Sequence, residues 1–331
     1  MSYLERFFEP KGWQSGKFTN KDGKQIRYGH VEPAGEKKGT VVLTTGYADL
    51  IESYDETIRE FTSRGYAVWA MDWAGQGGSD KKITADEKER RLEDHIHDLE
   101  QFRRDIVKAD DTKPVIMSTH SMGGQIGLHY LQRHPEDFDF ALVAAPFIDF
   151  ELGPLARAAL KGIFRTAVEL GFGDQDLAGA RKSVVRHMSS LHRKKKETDK
   201  DAIRIDLHRT FMMLNGEKRA EDPTLAMIDS LFDSTAKMNE ETFLKSIQAP
   251  VLIGAAEHDE TINNEAIKRA AALLPQAKYV FLKDASHGVW TERKPVREEW
   301  WRHVDGFLKE QHARFDSAPA KAAKPPAMKG P

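Results

Sequence analysis

The feature that most constrains this chain is an alternation between short apolar, β-rich runs and longer stretches with helical spacing. The runs fall at residues 26–31, 40–44, 66–71, 114–119, 140–144, 251–254 and 279–282. Helical spacing occupies 53–64, 87–108, 125–133, 263–274 and 295–309. In 87–108, Leu92, Ile96, Leu99, Phe102 and Ile106 recur on one helical face. Gly65 follows the 53–64 stretch as a helix stop. Strands that alternate with helices in this way build a parallel sheet covered on both faces, so the expected class is α/β, with a mostly parallel central sheet.

The alternation stops between Pro146 and about Ser246. That stretch is helix-compatible, with breaks at 171–173, 215–216 and 222–223. It is expected to be a helical insertion between two strands of one sheet. The expected division is therefore a core of 1–146 and 247–312, a helical cap over 147–246, and a disordered tail over 313–331, where Ala, Pro and Lys dominate.

Composition excludes several classes. With 40% hydrophobic and 31% charged residues over 331 positions, the chain has material for a sizeable core and is not a disordered polymer. It has no cysteine, which removes disulfide frameworks, thiolate metal sites and cysteine nucleophiles. Its 50 basic and 52 acidic residues give a net charge of −2, so no global field favours nucleic acid. The N-terminus lacks a basic segment followed by an apolar run. The longest apolar stretch, 155–173, is interrupted by Arg157, Lys161, Arg165 and Glu169, too polar for a spanning helix. A cytoplasmic protein is expected. Tyr3, Leu4, Phe7 and Phe8, and the Arg-Lys-Lys-Lys run at 193–196, keep peripheral membrane contact open. Packing on the body and a solvated loop are the competing readings.

The sharpest chemical signal is the segment 115–124, Val-Ile-Met-Ser-Thr-His-Ser-Met-Gly-Gly, followed by a helix. Strand, tight turn and helix with Ser121 at the turn match the nucleophile elbow, G-x-S-x-G in its usual form. Gly123 fills the second glycine position, and Thr119 stands at the first. The competing reading is a serine that only caps the helix. A serine nucleophile needs a base and an orienting acid, in the chain order Ser, Asp or Glu, His. His287, in the loop after the last apolar run, is the expected base. Asp259, after the 251–254 run, is the preferred acid, with Glu257 its main competitor and Asp149 and Asp284 weaker ones. The oxyanion that forms during acyl transfer needs amide donors, each worth about 3–4 kcal/mol. The N–H of Met122 is one; the N–H of Tyr47, after Gly46, is the other. No cofactor or metal is required, and no H-E-x-x-H spacing occurs.

With Ser121, Asp259 and His287 in this order, the chain resembles the α/β-hydrolase fold, and within it the monoacylglycerol-lipase and bacterial lysophospholipase branch of serine hydrolases. The resemblance rests on Thr45-Gly46-Tyr47 with Glu52 and Tyr54, on the Asp72 to Ser79 run, on His120 through Gly124, and on Ser286-His287. It spans roughly 26–307 and is thin in the insertion. Thr119, Thr45 and Gly288 depart from the usual pattern without removing a catalytic group. The resemblance implies a lid formed by the insertion over an acyl pocket, and hydrolysis of a small-molecule ester or monoacyl lipid. Phe164, Phe172, Phe211, Met212, Met213 and Leu214 are among the apolar residues it supplies. Three alternatives remain: a general carboxylesterase, an acyltransferase using the same residues, and a non-catalytic ligand-binding member of the fold. Dehalogenases and epoxide hydrolases of this fold would carry aspartate where Ser121 stands.

Overall fold

The computed structural model describes residues 4–81, 91–110, 112–179 and 216–317. Outside that set lie Tyr3, residues 87–90 of the long expected helix, the 193–196 run, Phe211 to Leu214, and the tail beyond Ser317.

The described residues form an eight-stranded sheet. Its strands are β1 (Gln14–Thr19), β2 (Gln25–Val31), β3 (Gly39–Thr44), β4 (Tyr66–Met71), β5 (Val115–His120), β6 (Phe140–Ala144), β7 (Val251–Ala256) and β8 (Ala277–Leu282). Their spatial order is β1-β2-β4-β3-β5-β6-β7-β8. β1 and β2 pair antiparallel, β2 joins β4 antiparallel, and every other pairing is parallel. β3, β4, β5, β6 and β7 are buried along their whole length, which is why they read as continuous apolar runs.

The pleat divides these runs between two cores. Val42, Met117 and Val143 face one side, with Val41, Ile116 and Leu142 on the other. The first side is covered by α2 (Leu92–Gln101), α3 (Met122–Arg133) and the helix over Asn264–Leu273. The second is covered by α1 (Asp55–Ser63) and the C-terminal helix, Lys294–Ser317. The latter inserts Trp300, Trp301, Val304, Phe307 and Leu308. It continues to Ser317, so residues 313–317, expected in the tail, are helical. The long expected helix ends in a π-helical turn at Phe102–Ile106. α3 begins at Met122, directly after Ser121.

Between β6 and β7 the described chain is mainly helical. It contains α4 (Pro154–Ala167), a π-helical turn (Val168–Phe172), α5 (Leu225–Met238) and α6 (Glu241–Lys245); the helices over Asn264–Leu273 and Lys294–Ser317 are α7 and α8. No described helix is long and apolar enough to cross a membrane.

Candidate active site

The elbow forms where β5 ends and α3 begins. Ser121 adopts φ 54° and ψ −120°, a left-handed conformation that costs a non-glycine residue energy. The surrounding backbone holds it there. The Ser121 amide donates to the Ala144 carbonyl at 3.2 Å, and the Ser121 carbonyl accepts from the amides of Gly124, Gln125 and Phe147. A Cβ on Gly123 would fall 2.5 Å from the Thr45 carbonyl oxygen, so helix and loop approach closely only because that residue is glycine. Thr119 is accommodated from the helix side: a Cβ on Gly127 would sit 3.0 Å from Thr119 Cγ2. The space that a glycine would have left in the strand is supplied by Gly127.

Two loops at the same sheet edge meet this serine. His287, between β8 and α8, places Nε2 at 2.9 Å from Ser121 Oγ and Nδ1 at 2.7 Å from Asp259 Oδ2. An ionised carboxylate only accepts, so Nδ1 carries the proton and the Nε2 lone pair faces the serine hydroxyl. Asp259 follows β7 and is itself fixed, its Oδ1 accepting the amides of Thr261 and Ile262 at 2.9 and 3.0 Å. The competing acids lie elsewhere. Glu257 is exposed and accepts the Asp284 amide; Asp149 pairs with Arg157 and Asn239. The two loops are tied together by backbone bonds from Glu257 to Leu282 and from His258 to Ala285.

Tyr47 and Met122 both line the cavity next to Ser121. A Cβ on Gly46 would lie 3.1 Å from Ser121 Cβ, so the loop carrying Tyr47 passes in contact with the nucleophile. Gln76 fastens that loop. Its Nε2 donates to the carbonyls of Gly46 and Asp49, each at 2.8 Å, and its Oε1 accepts the Ala48 amide. Trp73 Nε1 donates to the Thr45 carbonyl. The Asp72 to Ser79 run, one of the segments that carry the resemblance, thus holds the side chains that set the loop.

Two further contributors were not legible in the sequence. His120 is buried beneath His287, its Nε2 donating to the His287 carbonyl at 2.8 Å while Nδ1 accepts from Tyr54 Oη at 3.0 Å. Burial first, and the adjacent His287 second, lower the His120 pKa to about 4, so it remains a neutral strut. Buried Glu292 accepts from both the amide and the hydroxyl of Ser286, fixing the residue before His287.

The cavity over Ser121 has a volume of about 590 Å³. One wall is apolar, built from Phe147, Phe150, Met227, Ile228, Leu231 and Ile262. Ligand-type atoms that converge in threes among the described residues occur at His134/Glu136/Asp137 and Glu257/His258/Asp284, and neither group contains a member of the Ser121, His287, Asp259 chain.

A family model described as "Serine aminopeptidase, S33" matches residues 35–294. The chain belongs to that family. Within the same range of likeness, it is 24% identical to a probable lysophospholipase L2 of Haemophilus influenzae, over 94% of this chain and 96% of that protein. It is 30% identical to a monoacylglycerol lipase of Mycolicibacterium smegmatis, over 45% of this chain and 53% of that one. Among solved structures, a carboxyl esterase from Bacillus coagulans superposes with a TM-score of 0.69 at 14% identity, covering 92% of this chain and 100% of its own. A monoglyceride lipase from Saccharomyces cerevisiae gives 0.68 at 16% identity, over 91% and 97%. These likenesses establish the α/β-hydrolase fold for this family member.

Proposed function

We propose that this S33-family chain hydrolyses carboxylic esters of monoacyl lipids, lysophospholipids or monoacylglycerols, through an acyl-enzyme. The observation that carries this reading is the hydrogen-bonded series Ser121, His287, Asp259 at the floor of a cavity with an apolar wall. Ser121 Oγ attacks the ester carbonyl as His287 Nε2 takes its proton. The amides of Met122 and Tyr47 stabilise the oxyanion. The imidazolium gives its proton to the departing alcohol. A water molecule, deprotonated by His287, then releases the fatty acid and restores Ser121. Asp259 keeps His287 in the required tautomer and stabilises its charged form.

The names of two relatives, a lysophospholipase and a monoacylglycerol lipase, support the lipid assignment. We take residues 147–246 as the cap that shapes the acyl site, and the cytoplasmic face of a membrane as the place where substrate is met. Exposed Leu155, Ile163, Leu170 and Phe172 on α4 and the turn after it support that contact.

A panel of glycerol and p-nitrophenyl esters of graded acyl length, with lysophospholipids and aminoacyl anilides alongside, tests this reading. Monoacyl lipids should be cleaved with the highest kcat/KM. Rapid cleavage of the anilides with the esters untouched would overturn it in favour of peptide chemistry.

A further inference from the structure

The two oxyanion donors are held in place by unequal means. The Met122 amide belongs to the first residue of α3. The Tyr47 amide sits in residues 45–49, outside any strand or helix, next to Ala48, whose φ of 60° is left-handed and unfavourable for alanine. An oxyanion donor is effective only if it already points at the place where charge develops. Something other than regular structure must therefore hold this loop.

The buried Gln76 side chain is the group that does so. Its Nε2 donates to the carbonyls of Gly46 and Asp49, each at 2.8 Å, and lies 3.3 Å from Thr45 Oγ1, while its Oε1 accepts the Ala48 amide at 3.1 Å. It thus bonds the chain on both sides of Tyr47 and clasps the strained alanine. Both of its N–H groups are spent on the loop, so it acts on a reaction through the loop. The turn that carries it is clamped in its own right. Asp72 Oδ2 accepts the Gly78 amide. The insertion bonds the residues on either side of Gln76, the Glu221 amide to the Gly75 carbonyl and the Gly77 amide to the Lys218 carbonyl, each at 3.0 Å. Tyr47 Oη donates to the Glu221 carbonyl at 2.8 Å, which closes loop, turn and insertion into one bonded unit.

We propose that Gln76 is the positioning residue of the oxyanion hole, holding the Tyr47 amide toward the carbonyl oxygen that becomes negative beside Ser121. The inference rests on the ester-hydrolase reading above and deepens it by naming the side chain on which the second donor depends.

The test is Gln76→Met, which keeps the length and loses every one of these bonds. With monodecanoylglycerol, kcat should fall about a hundredfold, the loss that a misplaced or missing donor brings, and KM should stay put, because the interaction is made only in the transition state. Inhibitors separate positioning from general damage. Ser121 Oγ adds to the carbonyl of decyl trifluoromethyl ketone, its proton passes to His287, and the carbonyl oxygen becomes an oxyanion; the matching carbinol cannot add. Gln76→Met should weaken the ketone by about the same factor as kcat and leave the carbinol unchanged. If Gln76→Met alone does not fold, the same comparison is made on Gln76→Met combined with Ala48→Gly, where glycine takes the left-handed position without strain. A kcat within a few-fold of the unmodified protein, or an equal loss for ketone and carbinol, would overturn the proposal. If the unmodified protein neither cleaves monodecanoylglycerol nor prefers the ketone to the carbinol, the ester-hydrolase reading itself has failed.

Discussion

The elbow and the insertion are built in opposite ways, and their difference divides the work of the molecule. Around Ser121, atoms are placed by buried strands, by glycines that let backbones touch, and by the side-chain struts Gln76, His120 and Glu292. In the insertion, no residue of α4 is fully buried, and it meets α5 through ion pairs of Arg165 and Lys161 with Asp229 and Asp233 and a stacked contact of Phe164 with Phe232. A reacting centre tolerates errors well under an ångström, whereas a substrate wall needs only the right polarity and shape. On the proposed function, the closely packed half would hold the reacting groups and the insertion would supply substrate-facing surface.

Substitutions at the elbow should produce the largest effects. Ser121→Ala should lower kcat by on the order of 10⁴-fold or more with an unchanged thermal midpoint, and Asp259→Asn by a comparable factor through the wrong imidazole tautomer. Steady-state kinetics beside calorimetry checks both. Gly123→Ala sharpens the point about close approach: its Cβ would meet the Thr45 carbonyl at 2.5 Å. It should cost about 1–3 kcal/mol of stability, as overpacking does, read from the denaturant midpoint.

The seam between the halves should respond to acid. His129 on α3 meets Ser234 on α5 at 2.7 Å, and burial, with Arg133 nearby, lowers its pKa to about 4. His120 is lowered similarly. Between about 4 and the unfolded value of about 6.5, the unfolded chain binds protons that the folded one does not. Stability should thus be full above pH ~6.5 and fall as the pH drops toward 4. His129→Gln should flatten that slope, as urea unfolding across this range would show. Smallest of all, Lys161→Ala removes an exposed pair with Asp233 and should change stability by less than about 1 kcal/mol.

Which parts were legible in the sequence follows from the same physics. Strands buried on both faces betray themselves as apolar runs, and the parallel core was readable for that reason. β1 was not: Gln14–Thr19 is mostly exposed, has no apolar run, and exists through its antiparallel pairing with β2. Ser121, His287 and Asp259 could be named because an elbow pattern and a chain order are local or one-dimensional signals, and the structure brings those three side chains together. Gln76, Glu292 and Gly127 act through contacts that no spacing rule anticipates. Gln76 reaches a loop some thirty residues earlier in the chain, and Gly127 matters only because Thr119 stands opposite it.

The central claim is that His287 and Asp259 make the Ser121 hydroxyl nucleophilic. Reaction with a fluorophosphonate followed by peptide mass mapping tests it most directly. The account predicts one covalent adduct, on the peptide containing Ser121, formed rapidly by the unmodified protein and lost in both Ser121→Ala and His287→Ala. An unlabelled protein, or an adduct on another serine that persists in Ser121→Ala, would contradict it.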